Sequence, residues 1–309
     1  MSLVLRPFRA TDAPAVLDLS RQVLPHLVDD AAALRERVAA LSGSGRAVFT
    51  VAELDGVVVG HAAAELDREG PRPDGGVVSV TVGRRHRGRG VGGALLRPME
   101  RYAVDAGATV LRAVVQDTPE SVRFAERRGY VRRSGTCFQE LVLAELPPLP
   151  SPPPGVRLST YRAFLADPHP LYAVEESAAR DEPASGFPHQ PLSYTDWLAA
   201  VWRNPLLDLD LSAAVVLDGR PVCIVTLLAS GEAVYSVMTG TSPGYRNRGL
   251  AGYAKSAALH RAREHGFRVA LTGNAEENSP ILALNARLGY RPVAREFLYV
   301  KAVSPDGRR

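Results

Sequence analysis

The sequence predicts an α+β fold of two tandem domains, each a mixed, mostly antiparallel sheet flanked by helices. Three observations lead to this prediction: a loop signature that occurs twice, landmarks that recur in one order in both halves, and a proline-rich segment between them. The chain has 309 residues, enough for two domains of ordinary size. Its apolar fraction of 46% is sufficient for two packed cores.

The repeated signature is a small-residue loop that joins an apolar strand to a helix. The first copy runs from Val80–Val82 to Arg87-Gly88-Arg89-Gly90-Val91-Gly92. The second runs from Thr239–Thr241 to Arg246-Asn247-Arg248-Gly249-Leu250-Ala251, 159 residues later. A helix N-terminus presents unpaired N–H groups and the positive end of the helix dipole, and glycine lets the backbone approach a ligand closely. Both loops are therefore predicted to bind phosphate groups.

Other landmarks recur on both sides of a proline-rich segment, 147–154. In chain order the matched pairs are Leu5–Arg9 with Leu158–Arg162, Asp55-Gly56 with Asp218-Gly219, the two loops, and Gly129-Tyr130 with Gly289-Tyr290. A segment so rich in proline favours extended polyproline geometry and not the interior of a sheet. The sequence therefore predicts duplicated domains at 1–146 and 155–309, joined by the linker 147–154.

Apolar periodicity and turn residues predict a similar series of elements in each half. The predicted strands are Val4–Arg9, Ala47–Leu54, Val57–Asp67, Val77–Val82, Val110–Val115, one around Tyr130, Cys137–Leu146, Ala213–Leu217, Val222–Ala229, Ala233–Thr241 and Val269–Thr272. The predicted helices are segments within Asp12–Ser42, then Gly90–Ala106, Thr118–Arg128, Leu250–His265 and Pro280–Leu288.

Charge and cysteine usage narrow the possible partners. The net charge is +4, shared between the halves, whereas a nucleic-acid-binding domain usually concentrates basic charge on one face. The densest basic run, Arg84–Arg87, lies at the first loop. No apolar run is long enough for a membrane span, and the N-terminus lacks the apolar core of a signal peptide. Cys137 and Cys223 are expected to be free thiols. We therefore expect a cytoplasmic protein without nucleic-acid, membrane or metal partners.

An alternative interpretation of the first loop is a dinucleotide site, because Gly88–Gly93 formally fits G-x-G-x-x-G. The second copy, Gly249–Gly252, does not fit that pattern. In addition, each loop lies far from the first strand–helix turn of its half, where a dinucleotide fold would place it. The features that both copies share are Arg-x-x-Gly-x-Gly/Ala and the Val/Thr-rich strand before it.

This shared pattern, followed by a helix, a strand, a helix and Gly-Tyr, resembles the GCN5-related N-acetyltransferase (GNAT) family over nearly the whole chain. The doubled plan resembles tandem members of the mycothiol synthase type. The second half in particular carries their Thr-x-Asn-x-x-x-Asn motif, here Thr272–Asn278.

The resemblance implies acetyl-CoA as the donor, with its pyrophosphate on the loop amides and its pantetheine beside the preceding strand. The residues so assigned are Val80, Thr81, Val82, Arg87, Gly88, Arg89, Gly90, Val91, Gly92, Gly93, Thr239, Gly240, Thr241, Arg246, Asn247, Arg248, Gly249, Leu250, Ala251, Gly252 and Asn278. It also implies direct attack of an amine on the thioester, with a backbone N–H near a strand bulge stabilising the oxyanion.

The catalytic side chains depart from the family pattern. A tyrosine that many members carry four residues before the final glycine is Ala125 in the first half and Asn285 in the second. The strand position of the usual glutamate base holds Tyr235, with Glu232 as the nearest carboxylate; the first half offers Asp74. The candidates are therefore Glu232 as base, Tyr235 beside the acceptor and Asn285 beside the thiol, which favours the second half as catalytic.

The resemblance thus implies an N-acetyltransferase that modifies a primary amine, with a small molecule as the expected acceptor. Acidic residues in the second half, among them Glu175, Glu176, Asp181 and Glu182, could attract a cationic amine. Two alternatives stay open: a non-catalytic acyl-CoA-binding protein or sensor, favoured by the missing tyrosines, and a protein-lysine acetyltransferase.

Overall fold

The computed structural model describes residues 2–67, 75–181 and 191–304. The chain forms two compact units. Unit 1 comprises Met1–Gly135 together with Ala294–Arg309, and unit 2 comprises Thr136–Val293. Each unit therefore includes residues that the sequence repeat would assign to the other half, a difference that arises from the last strands described below.

The twelve strands found in the described ranges are β1 (Leu3–Pro7), β2 (Ala47–Leu54), β3 (Val57–Asp67), β4 (Gly75–Val82), β5 (Val110–Gln116), β6 (Val131–Val142), β7 (Arg157–Thr160), β8 (Ala213–Leu217), β9 (Arg220–Ser230), β10 (Ala233–Thr241), β11 (Val269–Ala275) and β12 (Arg291–Ala302).

The eight α-helices of the same ranges are α1 (Ala13–Arg21), α2 (Ala31–Gly43), α3 (Val91–Asp105), α4 (Pro119–Glu126), α5 (His169–Ala179), α6 (Tyr194–Trp197), α7 (Leu250–Glu264) and α8 (Ser279–Leu288). Local chemistry explains several starts: the Asp30 carboxylate caps α2 by accepting from the amides of Ala32 and Ala33, and Thr118 precedes Pro119 at the start of α4. Where the structure is described, no helix is both long and apolar enough to cross a membrane.

Unit 1 contains the strands in the order β1-β2-β3-β4-β5-β12. The pairings are antiparallel except for β4 with β5, which is parallel. The largest core of the unit includes Leu95 and Met99 of α3, Leu111 of β5 and Phe297 of β12, all buried. A second cluster joins α1 and α2 to Val51 of β2, so helices cover both faces of this sheet.

Unit 2 repeats the arrangement in the order β7-β8-β9-β10-β11-β6. Here the parallel pair is β10 with β11, and the remaining pairs are antiparallel. Helices α7 and α8 pack on one face through Ala254, Ala258 and Leu284. On the other side, Leu171 of α5 and Trp197 of α6 share a buried cluster with Ile224 of β9.

The final strand of each unit comes from the other half of the sequence. In unit 1, β12 pairs with β5, with Glu296 opposite Gln116 and Ala302 opposite Val110. In unit 2, β6 pairs with β11 in the corresponding way. The compact units thus differ from 1–146 and 155–309, which we keep as the proposed units of duplication. Residues 147–154 contain no helix or strand.

Most predicted elements are present with bounds within a few residues. Strands β2, β3, β8 and β10 have the predicted bounds. The strands predicted around Tyr130 and at Cys137–Leu146 form one continuous strand, β6, which begins at Val131, ends at Val142 and is followed by a short 3-10 turn. Helices α5 and α6 were not predicted. Both cysteines are free; Cys223 is buried and Cys137 is only partly so.

Replacing Phe297 with alanine should destabilise unit 1, although Phe297 lies near the end of the chain. Its side chain is 2% exposed within the unit 1 core, and such a truncation costs about 3–5 kcal/mol. Native-state hydrogen exchange should show lost protection in β5 and α3, with β8–β10 unaffected. Val293→Ala at an exposed position is the control. Loss of protection confined to β8–β10 would contradict the assignment of β12.

Candidate functional site

The two predicted phosphate loops have the same backbone conformation. Gly90 and Gly249 occupy the N-cap positions of α3 and α7 with φ of 83° and 75°. Gly88 and Asn247, two residues earlier, also have positive φ, 73° and 62°. No side chain caps either helix, and a Cβ added at Gly88, Gly90 or Gly249 would meet no atom within 4 Å. Each loop therefore leaves first-turn amides without a side-chain cap beside open space.

The loop arginines hold the loops against the preceding strands. The Nε of Arg87 donates to the carbonyl of Val82 at 3.1 Å, and the Nε of Arg246 donates to the carbonyl of Thr241 at 3.0 Å. Arg246 also forms an ion pair with Asp181 at 2.8 Å. Both guanidinium groups therefore position the loop as well as adding positive charge near it.

The other predicted loop residues divide into buried and exposed members. Val91 and Leu250 are buried in the cores of their units, so only their backbone groups belong to the loops. Arg89 and Arg248 are exposed. Gly240 serves packing: a Cβ there would lie 2.8 Å from the Cβ of Ala178, so glycine is what lets α5 pack against β10.

The parallel strand pair of each unit is joined over only part of its length. In unit 1, β4 and β5 pair only through Gly75–Val77 and Val110–Arg112. In unit 2, β10 and β11 pair only through Ala233–Ser236 and Val269–Thr272. Beyond these residues the facing edges carry unpaired backbone groups, and we refer to this region as the splay of each unit. The predicted pantetheine strands, Val80–Val82 and Thr239–Thr241, lie along the splays.

An inserted residue distinguishes the splay of unit 2 from that of unit 1. The pairing of β10 with β9 shifts between Ser236 and Met238, so Val237 is an extra residue, a β-bulge, with its side chain 47% exposed. Thr272 donates its hydroxyl to the carbonyl of Ser236 at 3.0 Å. Pairing of β3 with β4 in unit 1 runs without a shift. Only the β10 splay therefore has bulge backbone groups that could face a reacting carbonyl.

Tyr235 lies in the paired part of β10 just before this splay, on the face opposite Val234, since successive strand residues alternate. Val234 is part of the core with α7. A Cβ placed on Gly273 would lie 2.8 Å from the Tyr235 hydroxyl and 2.6 Å from the Phe138 ring. The Tyr235 hydroxyl thus lies against the β11 backbone just beyond the last β10–β11 pair.

Asn285 lies on the other face, in a polar cluster in which Asn285 itself is fully buried and Asn274 is half-buried. Its Nδ2 donates to Asn274 Oδ1 and to Gln139 Oε1, both at 2.9 Å. Its Oδ1 accepts from the Nζ of Lys255 at 2.8 Å. The Lys255 side chain is also buried, with Nζ 5.1 Å from the centre of the Tyr290 ring. Loss of hydration lowers the pKa of Lys255 to about 7.

Glu232 lies apart from these groups. It occupies the exposed turn before β10 and pairs with Arg268 at 3.4 Å, with its side chain 67% exposed. It precedes Val237 by five residues, about 16 Å along an extended strand, so the structure does not bring it to the splay. Asn278 is the residue before α8, and its side chain does not cap that helix. The candidates Asp74 and Glu182 lie outside the described residues.

Three positions in unit 1 that correspond to members of the polar cluster are apolar. Leu96, Val115 and Ala125 stand where unit 2 has Lys255, Asn274 and Asn285, and all three belong to the unit 1 core. Unit 1 instead buries His26 beside Glu296 at 3.6 Å, near the end of β5. Loss of hydration raises the pKa of Glu296 to about 7 and lowers the pKa of His26 to about 4.

Sequence reasoning missed Lys255, although one signal was available. Lys255 and Lys301 are the only lysines among 37 basic residues. Lys301 donates to the Glu100 carboxylate at 2.9 Å and lies 5.3 Å from the centre of the Tyr130 ring. Both lysines thus sit over the tyrosine of a Gly-Tyr landmark, but the lysine of unit 1 has a carboxylate partner and that of unit 2 has an amide.

Comparison with known proteins yields matches along most of the chain. Residues 15–130 match the sequence model of the acetyltransferase (GNAT) family, and residues 160–278 match that of an acetyltransferase (GNAT) domain. A mycothiol acetyltransferase of Catenulispora acidiphila is 25% identical over 78% of this chain and 76% of its own length. One from Nocardia farcinica is 27% identical over 85% of this chain and 86% of its own.

Solved structures share the fold across both units. A GCN5-related N-acetyltransferase from Sphaerobacter thermophilus superposes with a TM-score of 0.74 at 22% identity, covering 98% of this chain and 96% of that one. A tandem GNAT protein from the clavulanic acid biosynthesis pathway gives 0.73 at 22% identity, covering 97% and 98%. These likenesses show that the fold is that of tandem GNAT proteins.

Replacing Lys255 with leucine should raise the free energy of unfolding, by an amount that depends on pH. The folded pKa is about 7 against an ordinary 10.5. Between these values the unfolded chain binds a proton that the folded chain does not, so wild-type stability rises with pH, by up to about 1.4 kcal/mol per unit. The advantage of Lys255→Leu should therefore be largest at pH 7 and below and shrink toward pH 10.

Urea unfolding at several pH values measures this difference, with Lys301→Leu as the matched control. Because Lys301 donates to Glu100, its replacement should lower stability. An equal effect of Lys255→Leu at every pH would show that Lys255 is not buried in the way described.

Proposed function

The chain belongs to the GNAT acetyltransferases, and on that premise we propose that unit 2 transfers the acetyl group of acetyl-CoA to an amine of a small molecule. The observation that supports unit 2 most directly is the bulge at Val237, which adjoins an unpaired strand edge leading to an open loop. Unit 1 has the loop and the unpaired edge, but its β4 is regular.

Both loops fit the phosphate groups of acetyl-CoA. The space above Gly90 and Gly249 is open, and first-turn amides converge there with the positive end of a helix. In unit 2, the amides from Asn247 to Gly252 would bind the diphosphate, Arg246 would hold the loop, and Asn278 would lie at the far side of the splay. Backbone groups of Met238–Thr241 would pair with the pantetheine amides as an added strand would.

The bulge supplies the group needed at the reacting carbonyl. A backbone N–H at Val237 or Met238 would donate to the acetyl oxygen as negative charge develops there. Tyr235, on the opposite face from α7, would position the acceptor amine or a water that removes its proton. Glu232 is left out of this proposal because of its distance along the strand and its pairing with Arg268.

A small-molecule acceptor is proposed because the relatives over most of the chain are named mycothiol acetyltransferases. At identities of 25% and 27%, the proposal extends to small-molecule amines as a class. For unit 1 we propose binding of acetyl-CoA without transfer, since its splay lacks the bulge and its equivalents of Lys255, Asn274 and Asn285 are apolar. A cytoplasmic location is proposed with it, consistent with two free cysteines.

Loop variants test the division of roles between the units. Valine tolerates positive φ poorly, so Gly249→Val and Gly90→Val should each disrupt one loop. Calorimetry should find two equivalents of acetyl-CoA on the wild type and one on each variant. Turnover, measured as thiol release with a panel of small amines, should be lost only in Gly249→Val.

The control is Gly266→Val, since Gly266 follows the other end of α7 with a similar φ of 89°. It carries the same backbone strain without touching the loop, and it should keep both binding and turnover. Full turnover by Gly249→Val, or its loss in Gly90→Val alone, would refute the assignment of catalysis to unit 2.

Deleting Val237 tests the bulge. The deletion should restore continuous pairing of β10 with β9, which is the arrangement that β4 already has with β3. We expect acetyl-CoA affinity to change less than threefold and kcat to fall about 100-fold or more, the range measured for loss of one oxyanion donor. Unchanged kcat would exclude the bulge from catalysis, and loss of binding would indicate a role in holding the donor.

A further inference from the structure

Lys255 is the most unusual side chain that the proposed function leaves without a role. It is completely buried, and among the described residues its recorded partners are the Asn285 amide and the Tyr290 ring. A buried ammonium group without a carboxylate is costly in an apolar interior. A site that keeps a buried lysine in spite of this cost is suited to an anion that is present only at one stage of a reaction.

The fold itself does not require this group. Unit 1 has the same strand order and the same loop, yet it fills the three corresponding positions with Leu96, Val115 and Ala125. A purely structural explanation would therefore have to account for polar residues at three positions where the duplicate packs with apolar ones. Burial of the Lys255 amine and the Asn285 amide adds desolvation costs that the apolar residues of unit 1 avoid.

The cluster forms a directed chain of hydrogen bonds that ends at the splay. Lys255 donates to Asn285 at 2.8 Å, and Asn285 donates to Asn274 at 2.9 Å. Asn274 lies on β11 two residues beyond Thr272, the last residue paired with β10. Its Oδ1 is occupied by Asn285, so the group that it can offer across the splay is Nδ2. Each donated bond polarises the next donor in such a chain.

We propose that Lys255 and Asn285 are positioning residues that make Asn274 a strengthened hydrogen-bond donor to the thiolate released from acetyl-CoA. The inference rests on the proposed function, which places the thioester at Val237, opposite this part of β11. In the transfer, the amine nitrogen forms a bond to the acetyl carbon and the C–S bond breaks with its electron pair on sulfur. The proton lost by the amine passes to solvent, and the thiolate later takes one proton from solvent.

The choice of lysine fits this role better than arginine would. Lysine can lose its proton when buried, whereas arginine stays charged. Because burial lowers the pKa of Lys255 to about 7, its amine can be neutral in the resting protein near that pH, and a nearby anion would favour the ammonium form. Only two of the 37 Lys and Arg residues of the chain are lysines, and one of them occupies this position.

The acidity of the thiol of bound CoA tests the proposal without requiring turnover. CoA itself is the probe, and the Gly90→Val background leaves unit 2 as the binding site. Ultraviolet absorbance of the thiolate is followed against pH. The acid dissociation constant of the thiol of bound CoA should be about tenfold larger when Lys255 is present than in the Lys255→Leu variant. Asn274→Val, which introduces the residue of unit 1, should have the same effect and serves if Lys255→Leu does not fold.

Kinetic and stability measurements separate this role from a structural one. Lys255→Leu should lower kcat about tenfold or more, with KM for acetyl-CoA unchanged and the melting temperature equal or higher. A structural cluster would instead give a lower melting temperature and a raised KM. Lys301→Leu, which replaces the lysine paired with Glu100, should change neither the thiol acidity nor kcat.

The possible failures can be distinguished. If the thiol of bound CoA is equally acidic with and without Lys255, the proposed role of the hydrogen-bond chain from Lys255 to Asn274 is wrong. The same holds if replacing Lys301 changes the thiol acidity as much as replacing Lys255 does. Either result would leave the proposed function intact. Absence of CoA binding by the wild type would overturn both. If CoA binds with a thiol acidity that depends on Lys255, but no amine is acetylated, the result would support the role of the hydrogen-bond chain and contradict the proposed acetyl transfer.

Discussion

The structure depends above all on where the parallel pairing within each sheet stops. In unit 2 that point is Ser236 opposite Thr272, and the Thr272 hydroxyl holds the Ser236 carbonyl there. Where the two strands separate, the backbone donors and acceptors on their facing edges lose their partners in the sheet. Leaving these groups unpaired is costly unless water or a ligand binds them. The same strand leads directly into the loop at the start of α7. One geometric break would therefore provide both the groove that we propose for an extended chain and the anion site that we propose at its end.

Duplication allows the requirements of the fold to be separated from those of the chemistry. Both units keep the strand order, the positive-φ loop and the arginine that holds it. They differ in one inserted strand residue, Val237, and in three polar side chains, Lys255, Asn274 and Asn285. Since the unit without these features has the same arrangement of strands and helices, their presence in unit 2 is better explained by reactivity than by folding.

Local sequence patterns determined the elements and the loops but not the identity of the last strand of each sheet. Alternation and turn residues predict strands such as Ala47–Leu54 and Ala233–Thr241, because these signals lie within the strand. Pairing of β12 with β5 is a long-range choice between two similar partners, and no local signal encodes it. Glu232 is the carboxylate nearest in sequence to the position of the usual base, but the rise along an extended strand places it far from Val237.

The burial of Lys255, like the pairing of β12, depends on long-range packing that local sequence patterns do not predict. The surrounding residues also explain how the fold remains stable with this lysine inside it. On a helix surface a lysine usually indicates solvent, so its burial against Tyr290 could not be predicted from α7 alone. The core of unit 2 otherwise buries Ala254, Ala258 and Leu259 around it, and this apolar packing offsets the cost of one desolvated amine. In the proposed transfer, an anion that forms near this amine would favour its charged form. The cost of burying the amine in the resting site would then be recovered at the step where negative charge appears on sulfur.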